Sequence, residues 1–90
     1  MEKIRFEVVY DIEAENNLLQ INKLMRNRIK KAIEDRLMKA PNDYGKPLTK
    51  EWKDHRRLRV GDYRIIYKVI EDKVIVFIVD IDHRKDIYEY

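Results

Sequence analysis

Ile4, Phe6, Val8 and Tyr10 alternate with Lys3, Arg5, Glu7 and Val9, a period of two that predicts a strand over residues 2–10 with one buried face. The spacing then changes. Ala14, Leu18 and Ile21 recur at helical intervals behind the capping residue Asp11, so residues 12–20 are expected to form a short helix, and Asn22 is placed to cap a second. From Lys23 to Lys39 the residues Met25, Ile29, Ala32, Ile33, the stem of Arg36 and Leu37 make an apolar stripe backed by Lys and Arg, which predicts one long amphipathic helix. Ala40-Pro41 ends it, because the residue before a proline is pushed out of the helical region.

Residues 41–50 gather Pro41, Asn42, Asp43, Gly45 and Pro47 and read as a connecting loop. Leu48 and Trp52 are expected to anchor its far end on the core, burial of Trp52 against the helices being favoured over stacking on a base. Strands are predicted over 54–60, 63–70 and 73–81, joined by a Gly61-Asp62 hairpin turn and a second turn at Glu71-Asp72. Every residue from Val74 to Val79 is apolar, as a central strand buried on both faces requires. The order is strand, two helices, then a three-stranded antiparallel meander. That is an α+β fold with the helices packed on one face of the sheet, in one domain over residues 1–90.

The hairpin has a consequence for charge. With Gly61-Asp62 at the tip, Val60 faces Tyr63 and Arg59 faces Arg64, while Arg57 shares their face because side chains alternate. Like charges directly opposite one another are destabilising. Three arginines on one face, turned away from the helices, therefore point to an anion site in preference to three separately solvated side chains.

Composition sharpens this picture. Charged residues make up 41% of the 90-residue chain and the net charge is +3, but residues 45–70 hold eight Lys/Arg against three Asp/Glu, a local +5, whereas residues 71–90 hold three against six, a local −3. Positive potential is thus concentrated at the hairpin. The chain has no cysteine and so no disulfide or thiolate chemistry, and its two histidines, His55 and His83, are too few for a conventional zinc site. There is no signal-peptide run and no stretch of the ~20 apolar residues a membrane span needs, so no membrane partner and a cytoplasmic location are expected.

No glycine-rich phosphate loop, Ser/His/Asp arrangement or acidic metal cluster is present, and Asp80 and Asp82, two apart at a strand end, are read as ion-paired rather than metal ligands. What remains is a set of cations and aromatic rings: Arg57, Arg59, Arg64, His83, Arg84, Lys85, Tyr88 and Tyr90. These are parts of a metal-free RNA-cleaving site, which needs a base for the 2′-hydroxyl, a cation for the pentacoordinate phosphate, an acid for the leaving 5′-oxygen and a ring to splay a base out of line. No metal and no cofactor are expected.

Tyr44-Gly45-Lys46-Pro47-Leu48, the run Arg57-Leu58-Arg59-Val60-Gly61-Asp62-Tyr63-Arg64-Ile65-Ile66-Tyr67, and Asp82-His83-Arg84-Lys85-Asp86-Ile87-Tyr88 together resemble the RelE branch of the RelE/ParE toxins. The resemblance covers essentially the whole chain. It implies a ribosome-dependent endoribonuclease that enters the ribosomal A site and cuts mRNA, leaving a 2′,3′-cyclic phosphate and a 5′-hydroxyl. By position, Arg57 matches a basic residue acting as base or phosphate clamp, Arg64 the transition-state arginine, Arg84 the acid or leaving-group stabiliser, and Tyr88 the base-stacking tyrosine. Lys53, His55, Arg56, Arg59, His83, Lys85 and Tyr90 fall to RNA and ribosome binding. The chain departs from the best-known member, with His55 at one basic position and Arg57 where that member has lysine. The general base is therefore open, and Tyr90 rivals Tyr88.

Two other readings compete: a ParE-like gyrase poison of the same fold, against which the pair Arg84 and Tyr88 tells, and a non-catalytic RNA-binding module. The resemblance also implies a cognate RelB-like antitoxin that wraps the toxin. It would act by covering Arg57, Arg59 and Arg64 or by displacing the segment Arg84–Tyr90.

Overall fold

The structure, a computed structural model, describes residues 4–83. The first strand β1 (Glu7–Tyr10) leads into helices α1 (Ile12–Leu19) and α2 (Lys23–Ala32). Both predicted caps are in place: the Asp11 carboxylate accepts from the Glu13 amide at 3.3 Å and the Asn22 side chain accepts from the Met25 amide at 2.9 Å. The long second helix is not α-helical to its end. At Ile33–Leu37 it widens into a π turn, with the Met38 amide donating to the Ile33 carbonyl five residues back at 3.1 Å. A row of residues four apart drifts around an α-helix, since each residue turns it by about 100°. The wider turn removes that drift, so Ile33 and Leu37 both stay buried beneath Ile29.

The predicted loop contains two elements of its own. A one-turn helix α3 (Pro41–Tyr44), with Pro41 at its first position, precedes a two-residue strand β2 (Lys46–Pro47). Strands β3 (Arg56–Val60), β4 (Tyr63–Ile70) and β5 (Ile75–His83) form the expected antiparallel meander. The sheet is five-stranded in the order β1, β5, β4, β3, β2, so the apolar β5 is an interior strand, but only one of its faces is fully covered: Val76 and Ile78 are buried, whereas Ile75, Phe77 and Val79 are half-buried. The sheet is also mixed, because β1 runs parallel to β5, with Glu7 opposite Ile75 and Tyr10 opposite Ile78. A short chain pattern gives strand existence but not strand direction; here the whole helical crossover separates the partners, which is what parallel pairing demands.

The core lies between the helices and one face of the sheet. Ala14, Leu18 and Ile21 come from the α1 side, Ile29, Ile33 and Leu37 from α2 and its π turn, and Leu58, Val60, Ile65, Tyr67, Val76, Ile78 and Ile81 from the strands. Trp52 is not in this cluster. It sits half-buried in a single 3₁₀ turn (Lys50–Trp52) between β2 and β3, and its ring meets His55 edge-on at 5.4 Å, so the expected anchoring on the helices is replaced by a local contact at the far edge of the sheet.

A bulge interrupts the β4–β5 ladder: Ile66 is opposite Asp80 but Tyr67 is opposite Ile78, leaving Val79 as the extra residue. Its effect is one of phase. Counting in twos from Val76 and Ile78 would point Asp80 into the core; the inserted residue turns Ile81 inward instead and sends Asp80 and Asp82 to the other face.

Candidate functional site

The hairpin that carries the arginines forms as read. Gly61 has a φ of +60° while Asp62 does not enter the positive-φ region, the pattern of a type II′ turn, which needs glycine at its first central position. There is a second constraint on Gly61. A Cβ on it would lie 2.7 Å from the Met25 terminal methyl, so the turn sits close against α2, and a side chain here would move the end of Met25 as well as strain the backbone.

Across the sheet the face opposite the helices is arranged in rows. Arg59, Arg64 and Asp82 lie side by side on β3, β4 and β5; one step along, Arg57, Ile66 and Asp80 do the same. The predicted trio of Arg57, Arg59 and Arg64 is therefore brought onto one face. Their environments differ sharply: Arg59 is exposed, Arg57 half-buried, and Arg64 only 3% exposed. A guanidinium cannot give up its proton to escape burial, so Arg64 is a fixed charge in a low-dielectric setting where its field on an adjacent anion is strong. Asp80 also accepts a hydrogen bond from Asn17 of α1 at 3.1 Å, which ties the carboxylate round the edge of β5.

The other expected site residues divide. His83 ends β5 on the helix side of the sheet, opposite Tyr63, with the two rings edge-on at 4.9 Å, so it does not join the arginine face. His55 precedes β3; its Nδ1 lies 3.2 Å from the Lys53 carbonyl, and it lines a cleft of about 430 Å³ with Asn42, Arg56 and Lys68. Lys53 is exposed in the same connection. Arg84, Lys85, Tyr88 and Tyr90 lie outside the described residues.

Arg56 has a structural duty that its sequence position did not betray. Its Nε and one terminal nitrogen donate to the Gly45 carbonyl at 3.1 and 2.6 Å, and the same terminal nitrogen reaches the Asn42 carbonyl at 2.9 Å. Beneath it the fully buried Tyr67 hydroxyl donates to the Pro41 carbonyl at 2.7 Å. Burial pushes the Tyr67 pKa up, against the opposing pull of the Arg56 charge and of hydrogen bonds from Arg56 and the Gly45 amide. A Cβ at Gly45 would overlap the Tyr67 hydroxyl and ring. The buried tyrosine and the Gly-Lys-Pro run together were the available signal for this clasp, which fixes α3 and β2 against the start of β3 and so sets where Arg57 stands.

Among the described residues no group of three or more His, Cys, Asp or Glu side chains could hold a metal ion, and no helix is long and apolar enough to cross a membrane. The face offers cations of graded exposure, suited to holding a phosphate.

Solved structures share this architecture. The toxin–antitoxin complex RelBE2 from Mycobacterium tuberculosis contains a chain that superposes with a TM-score of 0.85 at 24% identity, covering 92% of this chain and 95% of that one. The isolated RelE toxin of E. coli gives 0.75 at 21%, covering 89% and 85%, and the RelB–RelE antitoxin–toxin complex from Methanococcus jannaschii gives 0.64 at 28%, covering 91% and 96%. In sequence, Toxin RelG of Mycobacterium tuberculosis is 38% identical over 52 residues, which is 58% of this chain and about three-fifths (60%) of that relative's length. The class is thus defined: the fold is that of the RelE toxins, and the chain is a toxin of the type II toxin–antitoxin class. Over residues 6–88 the chain belongs to the family described as the ParE toxin of the type II toxin-antitoxin system, parDE.

Proposed function

We propose that this toxin is a ribosome-dependent endoribonuclease that cleaves mRNA in the A site without a metal ion, leaving a 2′,3′-cyclic phosphate. The observation that carries the reading is the shared face of Arg57, Arg59 and Arg64, with Arg64 buried directly beside Arg59. In this scheme Arg64 holds the charge that develops on the scissile phosphate, Arg57 clamps the phosphate, Arg84 stabilises the leaving 5′-oxygen, and Tyr88 stacks on a base. Lys53, His55, Arg59, Lys85 and Tyr90 contribute to holding RNA or ribosome. A RelB-like antitoxin silences the toxin, in keeping with the RelB complexes in which related toxins from Mycobacterium tuberculosis and Methanococcus jannaschii were solved.

The test is primer extension on programmed ribosomes: defined cuts with wild type, and their loss with Arg64→Ala or Arg84→Ala while Lys39→Ala still cuts. A divalent ion bound among Arg57, Arg64 and Arg84 in a substrate complex would overturn the metal-free scheme. The match to the ParE family favours a second reading, a gyrase poison on the same fold. Inhibition of gyrase supercoiling, with messages left whole, would select it.

A further inference from the structure

The cleavage scheme leaves one proton without a taker. The 2′-hydroxyl must lose its hydrogen as its oxygen attacks the phosphate, yet Arg57, Arg59 and Arg64 are guanidinium groups, which stay protonated in proteins. An imidazole is the side chain that exchanges its proton near neutrality, and the residue next in register is a histidine. Past the pairs Lys46–Arg57 and Pro47–Arg56, the Leu48 amide donates to the His55 carbonyl at 3.0 Å, so the pairing of β2 with β3 runs on by one step. Side chains alternate along a strand, which puts His55 on the side of Arg57 and Arg59, about 7 Å along the chain from Arg57. Lys68, two residues on from Ile66 and on the same side of β4, lines a cleft together with His55.

The ring is held in one tautomer. Its Nδ1 lies 3.2 Å from the Lys53 carbonyl, an oxygen that can only accept, so Nδ1 carries the hydrogen and Nε2 keeps its lone pair. The backbone at Asp54, with a φ of 75° that Asp tolerates better than most residues, reverses the chain, and the His55 amide closes the turn on the Trp52 carbonyl at 2.9 Å. The Trp52 ring then meets the imidazole edge-on at 5.4 Å. Two nearby charges are already committed: Arg56 to the Gly45 and Asn42 carbonyls, and Glu71 to the Asn42 amide at 2.7 Å. The other charged groups around the imidazole are Lys53 and Asp54 in its own turn, Arg57 on β3, Lys46 on β2 and Lys68 on β4.

We propose that His55 is the general base of the cleavage, its neutral imidazole taking the 2′-hydroxyl proton at Nε2. The bond from the 2′-oxygen to phosphorus forms and the bond from phosphorus to O5′ breaks. The electron pair leaves on O5′, which takes a proton from a water molecule, and the resulting hydroxide recovers the proton on His55. The inference rests on the RNA-cleaving reading of the toxin and assigns the one role that its arginines cannot fill.

The test is single-turnover cleavage on programmed ribosomes with the full-length toxin in excess, from pH 5.5 to 8.5. Ionic strength is held constant, because salt screens the field of the surrounding charges. The wild-type rate is expected to fall tenfold per pH unit on the acid side of the imidazole's titration, which lies between about pH 5 and 8. His55→Ala is expected to cut roughly 10²–10⁴-fold more slowly, to lose that acid limb, and to regain rate in proportion to added free imidazole. His55→Gln repeats the loss if His55→Ala lowers the thermal melt. A His55→Ala rate within a few-fold of wild type overturns the assignment, as does an acid limb that survives the substitution. Wild-type toxin that leaves messages whole overturns the nuclease reading and this base with it, whereas cuts lost in Arg64→Ala but kept in His55→Ala overturn the base alone.

Discussion

Tyr67→Phe removes one atom from the clasp under Arg56, and its effect can be worked from the contacts. The hydroxyl donates to the Pro41 carbonyl at 2.7 Å in a fully buried site and accepts from Arg56 and the Gly45 amide. Losing a hydrogen bond costs about 1 kcal/mol net, and a buried partner left facing a ring edge adds about as much again. The variant should be destabilised by about 2 kcal/mol, which for a domain of this size lowers Tm by roughly 8–16 °C. Alkaline pH gives a second reading. Burial holds the Tyr67 pKa above its ordinary value near 10, so in that range the unfolded chain loses this proton first. The stability tied to the protonated hydroxyl is fully present below about pH 10 and is lost as pH rises through the folded value. The gap between wild type and Tyr67→Phe should therefore be widest near neutrality and shrink above pH ~10. Tyr10, likewise raised by burial and then by the Glu34 and Glu15 carboxylates, keeps some alkaline decline in the variant. Melts followed by circular dichroism from pH 7 to 11 measure both. Equal Tm values at pH 7, or a gap that widens with pH, would refute the account of the clasp.

Gly45→Ala should destabilise by about 3 kcal/mol in urea titrations, the upper range for overpacking, because the new methyl meets the Tyr67 ring on an ordinary backbone conformation. Val74→Asn should raise Tm by a few degrees, since Val74 holds a φ of 55° that a β-branched side chain resists by about 1 kcal/mol or more; an unchanged Tm would mean that its half-buried side chain offsets the strain. Arg64→Ala should reduce mRNA cleavage by roughly 10²–10³-fold, about 3–4 kcal/mol of lost charge stabilisation, whereas Lys39→Ala leaves it near wild type; equal losses in single-turnover assays would reduce the arginine face to general electrostatics.

What was legible in the chain was what is decided locally. The caps at Asp11 and Asn22, the turn at Gly61-Asp62 and the opposition of Arg59 to Arg64 each follow from a few adjacent residues. The parallel partner of β1 was not legible, because pairing across the whole crossover leaves no mark in a period of two. The settings of Arg56 and Trp52 were hidden for a related reason: they are made by residues 41–55 folding back on the sheet, and a basic or aromatic letter does not say whether a carbonyl or solvent will meet it. The site was legible as a face but not in depth, since periodicity places Arg64 beside Arg59 without saying that one is buried and the other exposed.

The extra residue in β5 gives the arginine face a setting that no side-chain substitution controls. Because Val79 shifts the phase of the strand, two carboxylates stand beside three guanidinium groups instead of being driven inward, and the local excess of positive charge is moderated. Removing Val79 would close the bulge into a regular ladder that keeps Asp80 opposite Ile66 and Asp82 opposite Arg64, so the counter-charges would stay with the arginines. The phase hangs on the bulge itself: were Val79 pressed into the ladder as a paired residue, β5 would turn both carboxylates toward the core and leave the arginines without them.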